Sequence, residues 1–170
     1  MKKLLFTLLA LLCWSIGTVA AETVVIQSDF NSEKLPDGWQ FNTYKDYLPH
    51  PKIIAVDGGA AFCDAPKPGT SVLMKSLTLV APDSEFKIVI SARGNGNFRV
   101  GARCYTADWK WAGTIFLNRQ ELSGEWKEYE FTYKVPVISG KPQVKRLGFQ
   151  FEFPQSTEFQ VRRVEIMKIK

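Results

Sequence analysis

Tyr105, Trp109 and Trp111 fall within seven positions in the stretch CYTADWKWAGT, around a turn-like Thr-Ala-Asp. Large rings at a chain reversal either close one end of a core or offer a flat apolar face to a ligand. Trp109 occupies the turn itself, where glycine or asparagine is the ordinary choice, so it is read as an exposed stacking ring. Trp111 stands between two readings, ligand contact and packing over an edge of the core. Arg93, Arg99 and Arg103 alternate with apolar residues on the same side as Tyr105, and Gln150 and Glu152 add polar groups from another strand. Flat apolar rings beside planar polar groups suit a sugar, whose C–H faces stack while its hydroxyls hydrogen-bond. Tyr44 and Tyr47, in the loop NTYKDYLPHP, either form the rim of such a site or cover one end of the fold.

Other chemistries lack their parts. The sole histidine, His50, lies between two prolines, a poor place from which to orient an imidazole for proton transfer. GNGN at 94–97 joins two strands and does not open a helix, so it is no phosphate cradle. Glu128 and Glu130 share a strand face as a glycosidase pair would, yet alternation alone produces that placement, and no acid, base and nucleophile converge. The expectation is a protein that is not an enzyme. The formal charge is +5 over 170 residues, and without Lys2 and Lys3 it is +3, from scattered basic residues rather than a stripe, which argues against a nucleic-acid partner. Cys63 and Cys104 either form a disulfide or remain two thiols; neither has neighbours for zinc.

The elements that must position these groups begin after a leader. Lys2 and Lys3 followed by the apolar run 4–16, with small residues at 19–21, read as a signal peptide over residues 1–21, and the protein is expected to be secreted or periplasmic. No later apolar run is long enough to span a bilayer, so direct membrane insertion is not expected. Residues 22–170 are the size of one domain.

Strand signals recur along them. Residues 23–30 are β-branched at their start, a Leu-Pro-Asp-Gly turn follows at 35–38, and Trp39 and Phe41 alternate beyond it. Short apolar runs at 52–56, 60–63 and 71–74 are separated by turn residues. Phe86, Ile88, Ile90 and Ala92 keep a period of two. So do Phe98 to Cys104, Tyr129 to Val135 and Leu147 to Phe153, and the doubled Arg162-Arg163 predicts a bulge in the last strand. Only 66–70 and 108–113 are suited to brief helical turns. About ten short strands with frequent turns predict an all-β fold, a two-sheet antiparallel β-sandwich of the jelly-roll kind. Trp39 and Trp126 are assigned to core or sheet-edge packing.

FNSEKLPDGW, the strand ending in SARGNG, YTADWKWAGT, LSGEWKEYEFTYKVP and FQVRRVEI, taken in order, resemble the landmarks of carbohydrate-binding modules of the family four, nine and twenty-two type, which are galactose-binding-like jelly rolls. The resemblance implies a non-catalytic module that binds an oligo- or polysaccharide. The alternative is a secreted or periplasmic structural or interaction domain of the same fold that binds a protein partner and no sugar. The family often holds a structural calcium with an acidic pair in its last strand, where this sequence has Arg162 and Arg163. Two guanidinium groups repel a cation, so no cofactor is expected: the calcium is expected to be replaced or lost, with Asp29 and Glu33 at the other end of that site paired with those arginines. The alternative is that the arginines point to solvent and a calcium persists on backbone carbonyls with Asp29 and Glu33.

Overall fold

Period-two alternation gives each long segment one apolar face, and burying those faces against each other requires two stacked sheets. The computed structural model describes residues 22–42, 48–65, 70–74, 77–153 and 158–170. The leader at 1–21, Tyr44, Tyr47 and all but Thr70 of the 66–70 segment lie outside the described residues.

Among the described residues there are thirteen strands and no helix. They are β1 (Thr23–Asp29), β2 (Trp39–Phe41), β3 (Lys52–Val56), β4 (Gly59–Cys63), β5 (Ser71–Met74), β6 (Thr78–Leu79), β7 (Glu85–Gly94), β8 (Asn97–Tyr105), β9 (Trp111–Phe116), β10 (Gln120–Glu121), β11 (Lys127–Lys134), β12 (Arg146–Glu152) and β13 (Phe159–Lys168). One sheet runs β11-β7-β13-β4-β3, with β1 also on β13; the other runs β10-β8-β12-β5-β2, with β9 on β8 and β6 on β12. Every pairing is antiparallel. The predicted β-sandwich is therefore the fold.

The core between the sheets is built on aromatic rings. Phe62 packs against Phe30, Phe41, Phe151, Phe153 and Phe159, with centroids 5.3–6.4 Å apart, and Trp39 joins the same cluster. In β11 the burial pattern follows the sequence, with Tyr129, Phe131 and Tyr133 inside and their polar alternates exposed. The bulge expected at Arg162 is present as a register shift between Val161 and Arg163.

Two expectations are corrected, and the alternative left open for the cysteines is decided. Residues 108–113 hold no helical turn; they complete a β-hairpin whose second strand starts at Trp111. Cys63 and Cys104 are free thiols. The Cys104 sulfur lies in the core 3.6 Å from the Tyr133 hydroxyl on β11, whereas Cys63 is on β4, three strands from β11, or roughly 14 Å at ordinary strand spacing. That is well beyond the reach of a disulfide. Burial pushes the Cys104 thiol above its usual range, and burial with the Glu158 and Asp64 carboxylates does the same for Cys63. In the folded protein a thiol reagent should modify Cys63 first and reach Cys104 only on unfolding, since Cys104 has no exposed surface. Equal native labelling of both, read by peptide mass spectrometry, would contradict this placement. Finally, Arg162 and Arg163 do not pair with Asp29 and Glu33: Arg163 binds Glu165 at 3.2 Å and Arg162 donates to the Gly58 carbonyl at 2.9 Å. Arg163 thus pairs along its own strand, while Arg162 reaches sideways to the β3/β4 turn and lies over the Trp126 ring.

Candidate functional site

The outer face of the β8/β12 sheet differs from an ordinary solvated face. In β12 the core-facing Leu147, Phe149 and Phe151 are buried, and so are the outward Gly148, Gln150 and Glu152, the last two only 5% and 4% exposed. The face is thus recessed. Two glycines allow this. A Cβ on Gly101 would come within 2.3 Å of the Ile115 carbonyl and 2.8 Å of the Phe116 ring, and one on Gly148 within 2.9 Å of Leu77. Phe116 and Leu77 therefore lie close over the sheet.

Register arranges the outward side chains in rows. The first row runs Leu79, Arg146, Tyr105 and Trp111 across β6, β12, β8 and β9. Trp111 is 61% exposed and Leu79 74%. Next, Arg103 stands beside Gly148 and Thr114, and donates to Asn42 at 3.3 Å. The third row holds Gln40, Leu73, Gln150 and Phe116. In the fourth, Glu152 accepts two hydrogen bonds from Arg99, at 2.9 and 3.0 Å, and one from Arg119 at 3.2 Å, while Arg99 stacks 3.9 Å above Phe116. Bidentate pairing of a buried carboxylate fixes these planar groups in place.

The hairpin beyond the first row is tightly tied. The Trp109 amide donates to the Thr106 carbonyl at 3.2 Å, the Thr106 amide donates to the Lys110 carbonyl at 3.0 Å, and the Thr106 hydroxyl donates to Asp108. Lys110 reaches the Asp108 carboxylate at 2.8 Å; this bond, with that from Thr106, holds Asp108 down to about 2. A turn followed by a left-handed residue is a common hairpin closure, but the left-handed position usually belongs to glycine. Here it is Trp109, at φ 64°, with its indole 62% exposed. The Arg146 guanidinium stacks on that indole at 4.0 Å and donates to the Thr106 and Ala107 carbonyls at 2.9 and 2.5 Å.

A bulky residue in left-handed backbone costs about 1–2 kcal/mol, and the exposed cation–π contact returns about 0.5–1 kcal/mol. Trp109→Gly should accordingly leave the melting temperature within a few degrees of the parent. A loss of more than 10 °C in a thermal scan would mean that the indole is a structural element.

The structure brings Tyr105, Trp109, Trp111, Arg99, Arg103, Gln150 and Glu152 to this one side of the molecule. It removes Arg93. Residues 94–96 carry the chain from one sheet to the other, so the outward side of β7 is the opposite face of the sandwich. There Arg93 donates to Gln160 at 2.7 Å and stacks 4.8 Å from Trp126, over which Arg162 also lies at 4.4 Å. Trp39 is buried, with its indole N–H donating to Ser28 at 2.9 Å. Tyr44 and Tyr47 lie outside the described residues. Sequence reasoning missed Arg146, Arg119, Phe116 and Leu79 as site groups. Arg146 was legible as a polar alternate of β12, but its place beneath Trp109 depends on a pairing between segments some forty residues apart.

His50 stacks on Phe41 at 5.1 Å, and Glu130 pairs with Lys87 at 3.1 Å on the far sheet. Neither faces the recess. Among the described residues no three His, Cys, Asp or Glu side chains gather to hold a metal ion, and no helix is long and apolar enough to cross a membrane.

No family model and no curated protein matches the chain. Solved structures do. The N-terminal CBM22-1 and GH10 modules of Clostridium thermocellum endo-1,4-β-D-xylanase 10B, complexed with xylohexaose, match with a TM-score of 0.65 and 14% identity over 87% of this chain, which spans 29% of that longer one. The CBM22-1 xylan-binding domain of a Paenibacillus barcinonensis protein gives a TM-score of 0.60 and 10% identity, covering 88% of this chain and 97% of its own. A family 29 carbohydrate-binding module of Piromyces equi gives 0.54 and 14%, covering 88% and 91%. At such identities the likeness is one of fold. The described strands thus form a two-sheet β-sandwich similar in fold to these carbohydrate-binding modules.

Proposed function

We propose that this protein is a non-catalytic glycan-binding module, exported by its leader, that holds an oligo- or polysaccharide along the recessed face of the β8/β12 sheet. Tyr105, Trp109 and Trp111 supply stacking rings at one end. Arg103, Gln150 and the Arg99, Glu152 and Arg119 group supply planar donors and acceptors along the floor. The observation that carries this reading is Trp109. An exposed indole in left-handed backbone brings this fold no net stability, and its place there points to a ligand that the ring receives. The xylan-binding domain with the same fold supports the ligand class. The leader residues Lys2 and Lys3 and the apolar run after them support export.

Affinity electrophoresis of the protein against a panel of soluble polysaccharides tests the reading. Retardation by at least one polymer is expected, together with its loss in Tyr105→Ala and Trp109→Ala. Absence of binding to every polymer, or binding unchanged in both variants, would overturn it in favour of a protein-interaction domain.

A further inference from the structure

The charges of the recessed face do not balance, and the surplus sits where a ligand would lie. At one end Glu152 is the carboxylate for two guanidinium groups, those of Arg99 and Arg119. At the other end Arg146 is satisfied by the carbonyls of Thr106 and Ala107 and by the Trp109 ring, and no ion pair joins it to a carboxylate among the described residues. The carboxylate of the turn that Arg146 contacts, Asp108, is taken by Lys110. Arg103 is held by Asn42; the other three guanidinium groups face one carboxylate, with Arg146 and Arg99 in the first and fourth rows of the face. Tyr105 and Arg99, which mark those rows on β8, are six residues apart, or roughly 20 Å of strand, the length of several linked sugars.

Trp109 points the same way. One side of its ring is occupied by a cation, so the open side presents an indole already polarised by positive charge. A guanidinium held by backbone carbonyls and an indole keeps its remaining donors in a fixed plane, the geometry that suits a carboxylate or sulfate oxygen pair. Partial removal from water makes such a pairing stronger than it would be at an open surface.

We propose that the face takes an anionic polysaccharide, whose carboxylate or sulfate groups are met by Arg146 and by the surplus charge of the Arg99 and Arg119 pair. This rests on the glycan-binding reading above and narrows it to a substrate class.

Three matched pairs of polymers separate the two: polygalacturonate and its methyl ester, carboxymethyl cellulose and hydroxyethyl cellulose, dextran sulfate and dextran. At low salt, affinity electrophoresis is expected to show at least tenfold stronger retardation by one charged polymer than by its uncharged counterpart, with a steep fall as salt rises. Which pair responds tells carboxylate from sulfate. Arg146→Gln should lower that charged-to-neutral ratio about tenfold, and Arg146→Lys should restore part of it. Trp111→Ala changes no charge, and it should weaken the charged polymer about thirtyfold. Thermal scans within a few degrees of the parent show that the variants are folded. Equal retardation by charged and neutral partners that is lost in Trp111→Ala would keep the glycan site and overturn its preference for anions. Retardation by charged polymers that survives Trp111→Ala would be surface charge alone and would overturn the proposal. No retardation by any of the six, with retardation by a neutral polysaccharide of the wider panel, would keep the glycan site and overturn its preference for anions; no retardation by any polymer would overturn both readings.

Discussion

Trp111→Ala lowers the affinity for a bound polysaccharide by roughly thirtyfold, the effect of losing about 2 kcal/mol at an aromatic stacking contact, and leaves the fold intact. The ring is 61% exposed at the start of β9, in register with Tyr105, so its removal opens no cavity. Its only large interaction would be with the ligand. The reading that Trp111 packs over the sandwich edge makes the opposite forecast, a drop in stability with binding retained. Isothermal titration with the best-retarding polymer, beside a thermal scan, distinguishes them. A variant with unchanged affinity and a melting temperature several degrees lower would return Trp111 to a packing role.

Phe151→Ala destabilises the protein by about 3–5 kcal/mol, which for a chain of this size is a fall of on the order of 10 °C in melting temperature. Phe151 is buried in the core and meets Phe30 at 5.8 Å, Trp39 at 5.5 Å, Phe159 at 6.0 Å and Phe62 at 6.4 Å, four rings that cannot all move into the space it leaves. Its chain neighbours Gln150 and Glu152 point to the other side of β12 and form part of the recess floor. The same substitution should therefore weaken ligand binding without touching the ligand. Urea denaturation checks the first effect. A loss under about 1.5 kcal/mol would show that the aromatic cluster collapses around the vacancy.

These two substitutions mark what was readable in the chain. Phe151 belongs to a run of alternating phenylalanines, and alternation is a local property: two residues per repeat, set by the pleat of one strand. The inward and outward sides of β7, β8, β11 and β12, the bulge at Arg162 and the sandwich itself follow from it. The turn position of Trp109 was equally local, since a hairpin closure involves only neighbouring residues.

The remainder depends on which strand lies beside which, and that is decided by contacts between distant segments. Arg93 and Arg99 are six residues apart and both point outward, yet they end on opposite faces because the chain changes sheets between them. Cys63 and Cys104 both lie in strands, but of different sheets, and Cys104 sits against Tyr133 of β11, three strand widths from the strand of Cys63. Leu79 and Arg146 join Tyr105 and Trp111 in one row only through the pairing of β6, β12, β8 and β9. The sequence by itself determined which residues face inward and which face outward, because the pleat assigns each side chain within its own strand. Only the tertiary structure decided that the outward residues of one sheet, and not the other, form a recess with buried polar groups and exposed indoles at its end, because burial on that side is a property of the whole sheet and of what lies over it.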